Sequence, residues 1–571
     1  MVPRYAVLAT HSDGQPAPEA GAVAAVVLFL DDRGQAEGPA RPVPSGRLAD
    51  AVDHVEERGL RWVWASTTEW YPRLLAAGRS VERAHDLALC RTILRHSTAA
   101  LDTDYTEELR RQAPEAGNGE PPLALLPPRP PENQGSLFED PQPAGSSAEA
   151  IAEEFSRQLA AVPNTPRGRR LQLLLAAESA GSLVASEMRA HGIPWRRDIH
   201  ETLLTEELGP RTAPGIRPTR LEATAAELRT ALGAPNLNPD SSQELLRALH
   251  RAGIDAKSTS QWELQEFSHP ALDPLQRYKK LSRLLTANGW AWLDAWVADG
   301  RFRPEYVVGG VVTGRWASRG GGALQIPHTV RDAARADPGY RLVVADAAQL
   351  EPRILAVLAN DGALADAARG RDLYQGIADL GFGGDRAHAK IAMLGAMYGA
   401  TTGESGRLMP QLARTFPKAV ELVERAARVG EAGGTVGTFL GRCSPPASPQ
   451  WLAAQRTSDA DEQRRADQMS RTRGRFTRNF VVQGTAAEWA LCWLGELRRR
   501  LRAERAAGND AAELAFFLHD EVVLHVPAER ADFAAAMAQE AATAAAELMF
   551  GRTPVEFPIG VAVVESYADA K

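Results

Sequence analysis

The sequence predicts a multidomain α/β protein, and three observations carry that expectation. At 571 residues the chain exceeds what one hydrophobic core organises and has room for about three or four domains. Apolar, strand-like runs alternate with amphipathic helical stretches at both ends of the chain. Between them, a proline-rich tract cuts off a first small unit from everything that follows.

Composition narrows the class further. With 44% hydrophobic and 24% charged residues, the chain is neither disordered throughout nor fibrous. Its best apolar run, Gly21 to Leu30, ends at Asp31-Asp32, well short of the ~20 residues a membrane span needs, so no membrane partner is expected. The opening MVPRY has no charged segment leading into an apolar stretch, and no secretory leader is expected. Three scattered cysteines (Cys90, Cys443, Cys492) fit a reduced, cytoplasmic protein without disulfides or a thiolate metal cage. A net charge of −7 argues against indiscriminate coating of nucleic acid. Of the 65 basic residues only six are lysines, so a lysine retained in this arginine-rich background draws notice.

Residues 1–111 read as a small α/β domain, with strand-like AVAAVVLFL and RWVWA and helical ERAHDLALCRTIL. Residues 112–147 read as a disordered linker. Nine prolines fall within residues 112–143, with five acids against one arginine, leaving too little apolar surface to offset ordering entropy. Residues 148–335 are mainly helical, with amphipathic segments such as SQELLRALHRAG. Residues 336–571 alternate strands and helices to the end, and no fixed-period repeat is visible.

Three segments of the last region carry the chemistry. In RLVVADAAQLEPRILAVLAN, residues 341–360, an apolar run ends at Asp346 and helical spacing follows. A carboxylate at a buried strand end is costly unless it binds a cation or a partner. In LAFFLHDEVVLHVP, residues 514–527, two apolar runs flank His519-Asp520-Glu521, which reads as a tight hairpin with charges at its turn. Two carboxylates from separate elements, Asp346 and Asp520, are what a two-metal Mg²⁺ site for phosphoryl or nucleotidyl transfer needs. Between these segments lies DRAHAKIAMLGAMYG, residues 385–399. Asp385 is a good N-cap and Gly399 a good stop, which predicts a helix from Arg386 to Tyr398. Arg386, Lys390, Leu394 and Tyr398 then share one broad face, with two cations at its start and a ring at its end. That order suits a triphosphate with a base attached.

With these segments in this order, the chain resembles the family A (polymerase I-like) DNA polymerases of bacteria. Asp346 to Arg353 resembles the family's motif A, Arg386 to Gly399 its motif B, and His519-Asp520-Glu521 its motif C. Thr313-Gly314-Arg315, followed by LQIP at 324–327, resembles the segment that touches the primer-template duplex. Arg475, Asn479-Phe480 and Gln483-Gly484-Thr485 resemble the palm helix that holds template and minor groove. LNPDSSQELLRAL and the stretch through YKKLSRLL resemble the thumb. The resemblance implies a right-hand polymerase of palm, fingers and thumb, preceded by a small ribonuclease H-like, exonuclease-type α/β domain. Residues 148–335 would hold the thumb and flanking palm helices, and residues 336–571 the palm and fingers, with the fingers about 365–470.

The resemblance also assigns roles. Asp346 and Asp520, with Glu521 beside them, would hold two Mg²⁺ ions, for which Mn²⁺ can substitute. Arg386 and Lys390 would grip the incoming dNTP, with Lys390 also serving as an acid toward the leaving pyrophosphate. Glu351 would crowd a ribose 2′-OH, with Gln349, Leu394, Tyr398 and His519 completing the nucleotide site. Thr313, Arg315, Gln325, Arg475, Asn479 and Gln483 would contact primer-template DNA. Two departures bear on nucleotide affinity and sugar discrimination: Leu394 stands where an aromatic is usual, and Ala347-Ala348 replace the usual Tyr-Ser. The expected molecule is a monomeric, nucleoid-associated enzyme. A catalytically idle DNA-binding scaffold, a related single-subunit RNA polymerase, and a bifunctional enzyme with residual 3′–5′ exonuclease are the alternatives.

Two further expectations concern the first third of the chain. A proofreading exonuclease needs an Asp-x-Glu on its first strand and further aspartates, yet residues 1–111 contain no Asp-x-Glu. Tyr71-Pro72 stands where the second aspartate should fall and Asp86 alone survives, so the domain is expected to be degenerate. In the linker, Gln134-Gly135-Ser136-Leu137-Phe138 resembles the peptides by which bacterial polymerases hook onto the sliding clamp, with Gln134, Leu137 and Phe138 as anchors.

Overall fold

The computed structural model describes residues 3–10, 23–112, 147–213, 215–264, 267–319, 326–370, 372–400, 403–509 and 512–570. Gln134, Leu137 and Phe138 of the linker and Gln325 of the LQIP segment lie outside them.

The N-terminal domain is built on a sheet of five strands in the order Arg41–Pro44, Val23–Leu30, Tyr5–Ala9, Arg61–Trp64, Ala84–Asp86. The first three are antiparallel neighbours and the last two join in parallel. Successive side chains on a strand point to opposite faces, and both faces here are apolar. Ala6, Leu8, Trp62 and Trp64 pack under the helices Leu48–Glu57 and Thr67–Ala76. Val7, Ala9, Leu28 and Val63 pack against Ile151, Ala152 and Phe155 of the helix Ala148–Ala160. That last helix follows the linker in sequence, so the boundary expected at residue 147 is crossed in space. The first strand unit cannot cover its second apolar face with residues 1–111 alone.

The helix Pro166–His191 then runs between this domain and the rest, buried along most of its length. Close approach is what its small residues allow: a Cβ on Gly181 would lie 2.6 Å from the Leu491 side chain on the helix Ala460–Ala506. Residues 221–278 form a separate helical cluster around Leu228, Leu245, Leu249, Leu275 and Tyr278.

The second sheet has four strands, in the order Glu513–Leu518, Glu521–Pro527, Tyr340–Ala347, Ile559–Val564, all antiparallel. Its central pair is apolar on both faces, with Leu342, Val343, Val522, Val523 and Leu524 fully buried. The helix Ala531–Phe550 closes over it, and the helix Ala460–Ala506 packs against that helix. Between the central strands in sequence, a run of helices including Leu373–Gly381, Arg386–Tyr398 and Pro417–Glu431 stands beside the sheet's end. The expected helix 386–398 forms with the expected signals. The Asp385 carboxylate accepts the His388 N–H at 3.0 Å, and Gly399 ends the helix in the left-handed region at φ 73°.

The three cysteines are buried and free. Among the described residues, no helix is long and apolar enough to cross a membrane.

Candidate active site

Asp346 is the penultimate residue of the strand Tyr340–Ala347, opposite Glu521 on one side and Gly560 on the other. Asp520 sits in the two-residue turn joining Glu513–Leu518 to Glu521–Pro527. The turn is tight enough to hold His519 at φ 58°, a conformation L-residues seldom take. It is tied to the central strand, because the Ala347 N–H donates to the Asp520 carbonyl at 2.8 Å. The two acids therefore meet at one edge of the sheet. Burial, and then the neighbouring Asp346 charge, push the Asp520 carboxyl up to about 6. Burial and the nearby Arg315 hold His519 down to about 4, so it stays neutral and lends no positive charge. Two partly buried carboxylates side by side are an oxygen donor set that a hard divalent cation such as Mg²⁺ fits. Among the described residues no three His, Cys, Asp or Glu side chains gather into a metal cage.

Glu521 lies differently. It is 1% exposed, and its carboxylate accepts the Tyr567 hydroxyl hydrogen bond inside the sheet. The structure thus gives it a buried partner beside the acid pair.

The other candidates converge on this edge through two chains of contacts. In one, Arg315 forms an ion pair with Glu351, whose other oxygen accepts the Tyr398 hydroxyl at 2.7 Å. Asn479 stands beside that same hydroxyl. In the other, Gln349 donates to Asp372 at 3.0 Å and Asp372 accepts from Arg386 at 2.7 Å. Gln349 itself sits at φ 54°, the backbone bend that turns the strand into the helix Leu350–Ala359. Arg353 fixes this bend from below: fully buried, it donates to the carbonyls of Ala348, Ala368, Gly370 and Glu556. Lys390 is exposed one turn beyond Arg386, Leu394 is half-buried, and Tyr398 is 43% exposed.

The candidates for duplex contact lie alongside. The Thr313 hydroxyl donates to Gln483 at 2.8 Å, linking the Thr313-Gly314-Arg315 turn to the long helix. Gly314 is at φ 92°, and a Cβ there would press into the Arg442 guanidinium at 2.6 Å. Arg442 in turn pairs with Glu178 at 2.7 Å, both nearly inaccessible. Arg475 packs over Gly399, where a Cβ would sit 2.7 Å from its Cγ. Asp372, Tyr374 (7% exposed) and the Glu178–Arg442 pair are functional candidates the motifs did not single out. Asp372 alone had a local signal, as the N-cap of the helix Leu373–Gly381.

In the N-terminal domain, no such pair of acids from separate elements stands at the end of a strand among the described residues. Its first strand, Tyr5–Ala9, carries no acid. Asp86 is 2% exposed and spends its carboxylate on the Thr67 N–H at 2.7 Å and the Leu89 N–H at 3.0 Å. Tyr71 is fully buried and donates to Glu187, which pairs with Arg498 of the long helix at 2.8 Å.

Comparison with known proteins follows this geometry. The chain is similar to DNA polymerase I, thermostable, of Thermus aquaticus, 27% identical over 443 residues, which is 69% of this chain and 48% of that protein. It is 28% identical over 340 residues to the corresponding protein of Thermus filiformis, 54% of this chain and 37% of that one. The chain thus spans less than half the length of these relatives. Among solved structures it is similar to the POL domain of Pol1 from M. smegmatis in complex with DNA primer-template and dNTP. There the TM-score is 0.65 at 18% identity, covering 99% of this chain and 95% of that one, so the polymerase-domain fold is shared. The model of DNA polymerase family A matches residues 217–568, more than half of the sequence, and the chain belongs to that family.

Proposed function

We propose that this chain is a template-directed DNA polymerase that extends a primer 3′ end with dNTPs by two-metal nucleotidyl transfer, and that it does not proofread. The observation that carries this reading is the convergence of segments far apart in sequence on one sheet edge. One set of contacts links Arg315, Glu351 and Tyr398, another links Arg386, Asp372 and Gln349, and Gln349 and Glu351 follow Asp346 by a few residues, which supports the reading.

Asp346 and Asp520 would hold two Mg²⁺ ions, or Mn²⁺ in their place, with Glu521 steadying the strand beside them. When bound, these ions would activate the primer's attacking oxygen and neutralise charge on the leaving pyrophosphate. The protein's own groups supply the rest. Arg386 and Lys390 grip the triphosphate, and Lys390 delivers a proton to the leaving pyrophosphate oxygen. To do so Arg386 must share or leave Asp372; that exposed pair is worth about 1 kcal/mol or less, so a triphosphate can outcompete it. Glu351, pinned by Arg315 and Tyr398, stands where a ribose 2′-OH would need room. Gln349 and His519 shape the pocket, and Leu394 gives the nucleotide an aliphatic wall where an aromatic is usual. Thr313, Arg315, Gln325, Arg475, Asn479 and Gln483 contact the duplex by shape and backbone, so the template alone supplies sequence. The absence of acids on the strand Tyr5–Ala9 and the burial of Asp86 support a domain without nuclease chemistry. Through Gln134, Leu137 and Phe138 the linker would tether the enzyme to the sliding clamp on DNA in the bacterial nucleoid.

The test is extension of a primed template with dNTPs against rNTPs in Mg²⁺. No extension by the pure full chain would overturn the reading and leave the DNA-binding scaffold. On long templates with loaded clamp, a Leu137→Ala, Phe138→Ala variant is expected to give shorter products; equal lengths would remove the clamp from the proposal.

A further inference from the structure

Below the N-terminal sheet lies a cavity of about 220 Å³, remote in the fold from the acid pair. It opens where the parallel strands begin, so its wall includes Tyr5, Arg61 and His85, closed by Phe155 of the helix Ala148–Ala160 and by Arg169 and Gln172 of the helix Pro166–His191. Three features of that wall belong together. It contains two guanidinium groups and no carboxylate. Among the described residues neither Arg61 nor Arg169 is given a hydrogen-bonding or ion-paired side-chain partner, although Arg61 is half-buried. The rest of the wall is mixed, with Gln158, Asn164 and Gln172 beside Leu159, Val162 and Leu175, and the Phe155 ring packs edge-on against Tyr5 at 4.7 Å and His85 at 4.9 Å. His85 itself is committed to Gln158 at 2.8 Å and, being buried, is held neutral.

A half-buried guanidinium with no acceptor is expensive, and the cost is recovered only by an anion or by water. Burial above all, with a smaller part from Arg83, lowers the pKa of Arg61, while Tyr5, Cys90 and Glu82 act to raise it. Two forked donors around one opening match the oxygens of a phosphate dianion better than a single carboxylate. The space exceeds what phosphate alone would fill, and the Phe155 side offers a surface for a small organic body. We propose that this cavity binds a phosphomonoester of sugar-phosphate size, held by Arg61 inside and Arg169 at the mouth, with Gln172 toward the sugar. The site is distinct from the candidate nucleotide site on the helix Arg386–Tyr398 and does not depend on polymerase activity.

The test is calorimetric titration of the full chain with ribose 5-phosphate, carried out in an Arg386→Ala, Lys390→Ala background that silences the candidate triphosphate site. One saturable site is expected. Arg61→Gln should weaken it by about tenfold or more, and Arg169→Gln, at an exposed position that cannot disturb the core, by a smaller factor with an unchanged Tm. Should Arg61→Gln fail to fold, Arg169→Gln decides alone. A 5′-phosphorylated octanucleotide serves as competitor: displacement names a strand end as the source of the phosphate, and its absence names a free sugar phosphate. No saturable binding, or affinity unchanged in the arginine variants, would overturn the proposal.

Discussion

Asp346 and Asp86 both stand at the ends of buried strands in the two largest sheets, and the surroundings turn them to different uses. Asp346 meets a second acid, Asp520, at an edge that is only half-buried. Asp86 meets two backbone N–H groups in a closed interior, where it caps the helix Leu87–His96. One arrangement sets two carboxylates side by side with Arg315 close to Asp520. The other spends its carboxylate in holding a turn. An acid at a strand end is therefore not a site by itself; what differs here is a second acid and partial exposure beside Asp346, against a closed interior around Asp86.

The largest expected effect separates the two directly. Asp346→Ala or Asp520→Ala should reduce primer extension by at least about a thousandfold while leaving duplex binding nearly intact, because metal positioning and activation of the attacking oxygen go together. Asp86→Ala should leave extension per folded molecule unchanged and cost about 1–2 kcal/mol of stability through the lost cap and the unsatisfied Thr67 N–H. Gel-resolved extension and thermal melting of the three variants check both halves. Extension by the Asp346 variant, or its loss in the Asp86 variant, would erase the contrast.

The next effect concerns nuclease chemistry. A labelled primer with a mismatched 3′ end should stay at full length when incubated with the full chain and Mg²⁺ without dNTPs. Shortening that persists in Asp346→Ala would mean that the N-terminal sheet carries a site after all, and Asp86 would be its first suspect.

A smaller effect is expected at the gate. Glu351→Ala removes the group that Arg315 and Tyr398 jointly hold, so discrimination against rNTPs should fall by about tenfold or more while dNTP extension continues. The ratio of kcat/KM for the two sugars measures it, and an unchanged ratio would remove Glu351 from that role.

How legible this was in the sequence differs between the two sheets for a physical reason. Around the acid pair, the signals are local: apolar runs that stop at Asp346 and His519, an N-cap at Asp385, a left-handed stop at Gly399. Each is a property of a few adjacent residues, and each formed as expected. The contacts that assemble the site are not local. Arg315 reaches Glu351, and Glu351 reaches Tyr398, across stretches with no periodic trace of the pairing. In the N-terminal domain, the helix Ala148–Ala160 returns across the linker to cover Val7 and Leu28, a long-range event that composition could only read as a boundary. Tyr71, noted in sequence only as a missing aspartate, turned out to be a joint: its hydroxyl meets Glu187 and, through it, Arg498.

The smallest expected effect tests whether a displaced pKa marks chemistry in this fold. Asp520 is pushed up to about 6, yet Glu488 is pushed further, to about 7, from an ordinary 4.5, at a place with no candidate chemistry. Glu488 lies fully buried on the helix Ala460–Ala506, between the Leu440 N–H at 2.9 Å and the Thr438 hydroxyl, and burial is the dominant cause of its shift. Below pH 4.5 both folded and unfolded chains hold this proton, so Glu488 contributes no pH dependence there. Between about 4.5 and 7 the unfolded chain releases it while the folded chain keeps it, so stability falls as pH rises and levels off above 7. The full shift corresponds to at most about 3 kcal/mol. A Glu488→Gln variant keeps the shape without the proton. Its Tm should therefore gain on the natural chain by up to several degrees from about pH 5 to 7 and then stay level to pH 8, while extension at pH 7 to 8 stays unchanged. A constant Tm difference across that range would mean that Glu488 is already ionised in the fold. A loss of extension would instead make it part of the site rather than of the helix that carries it.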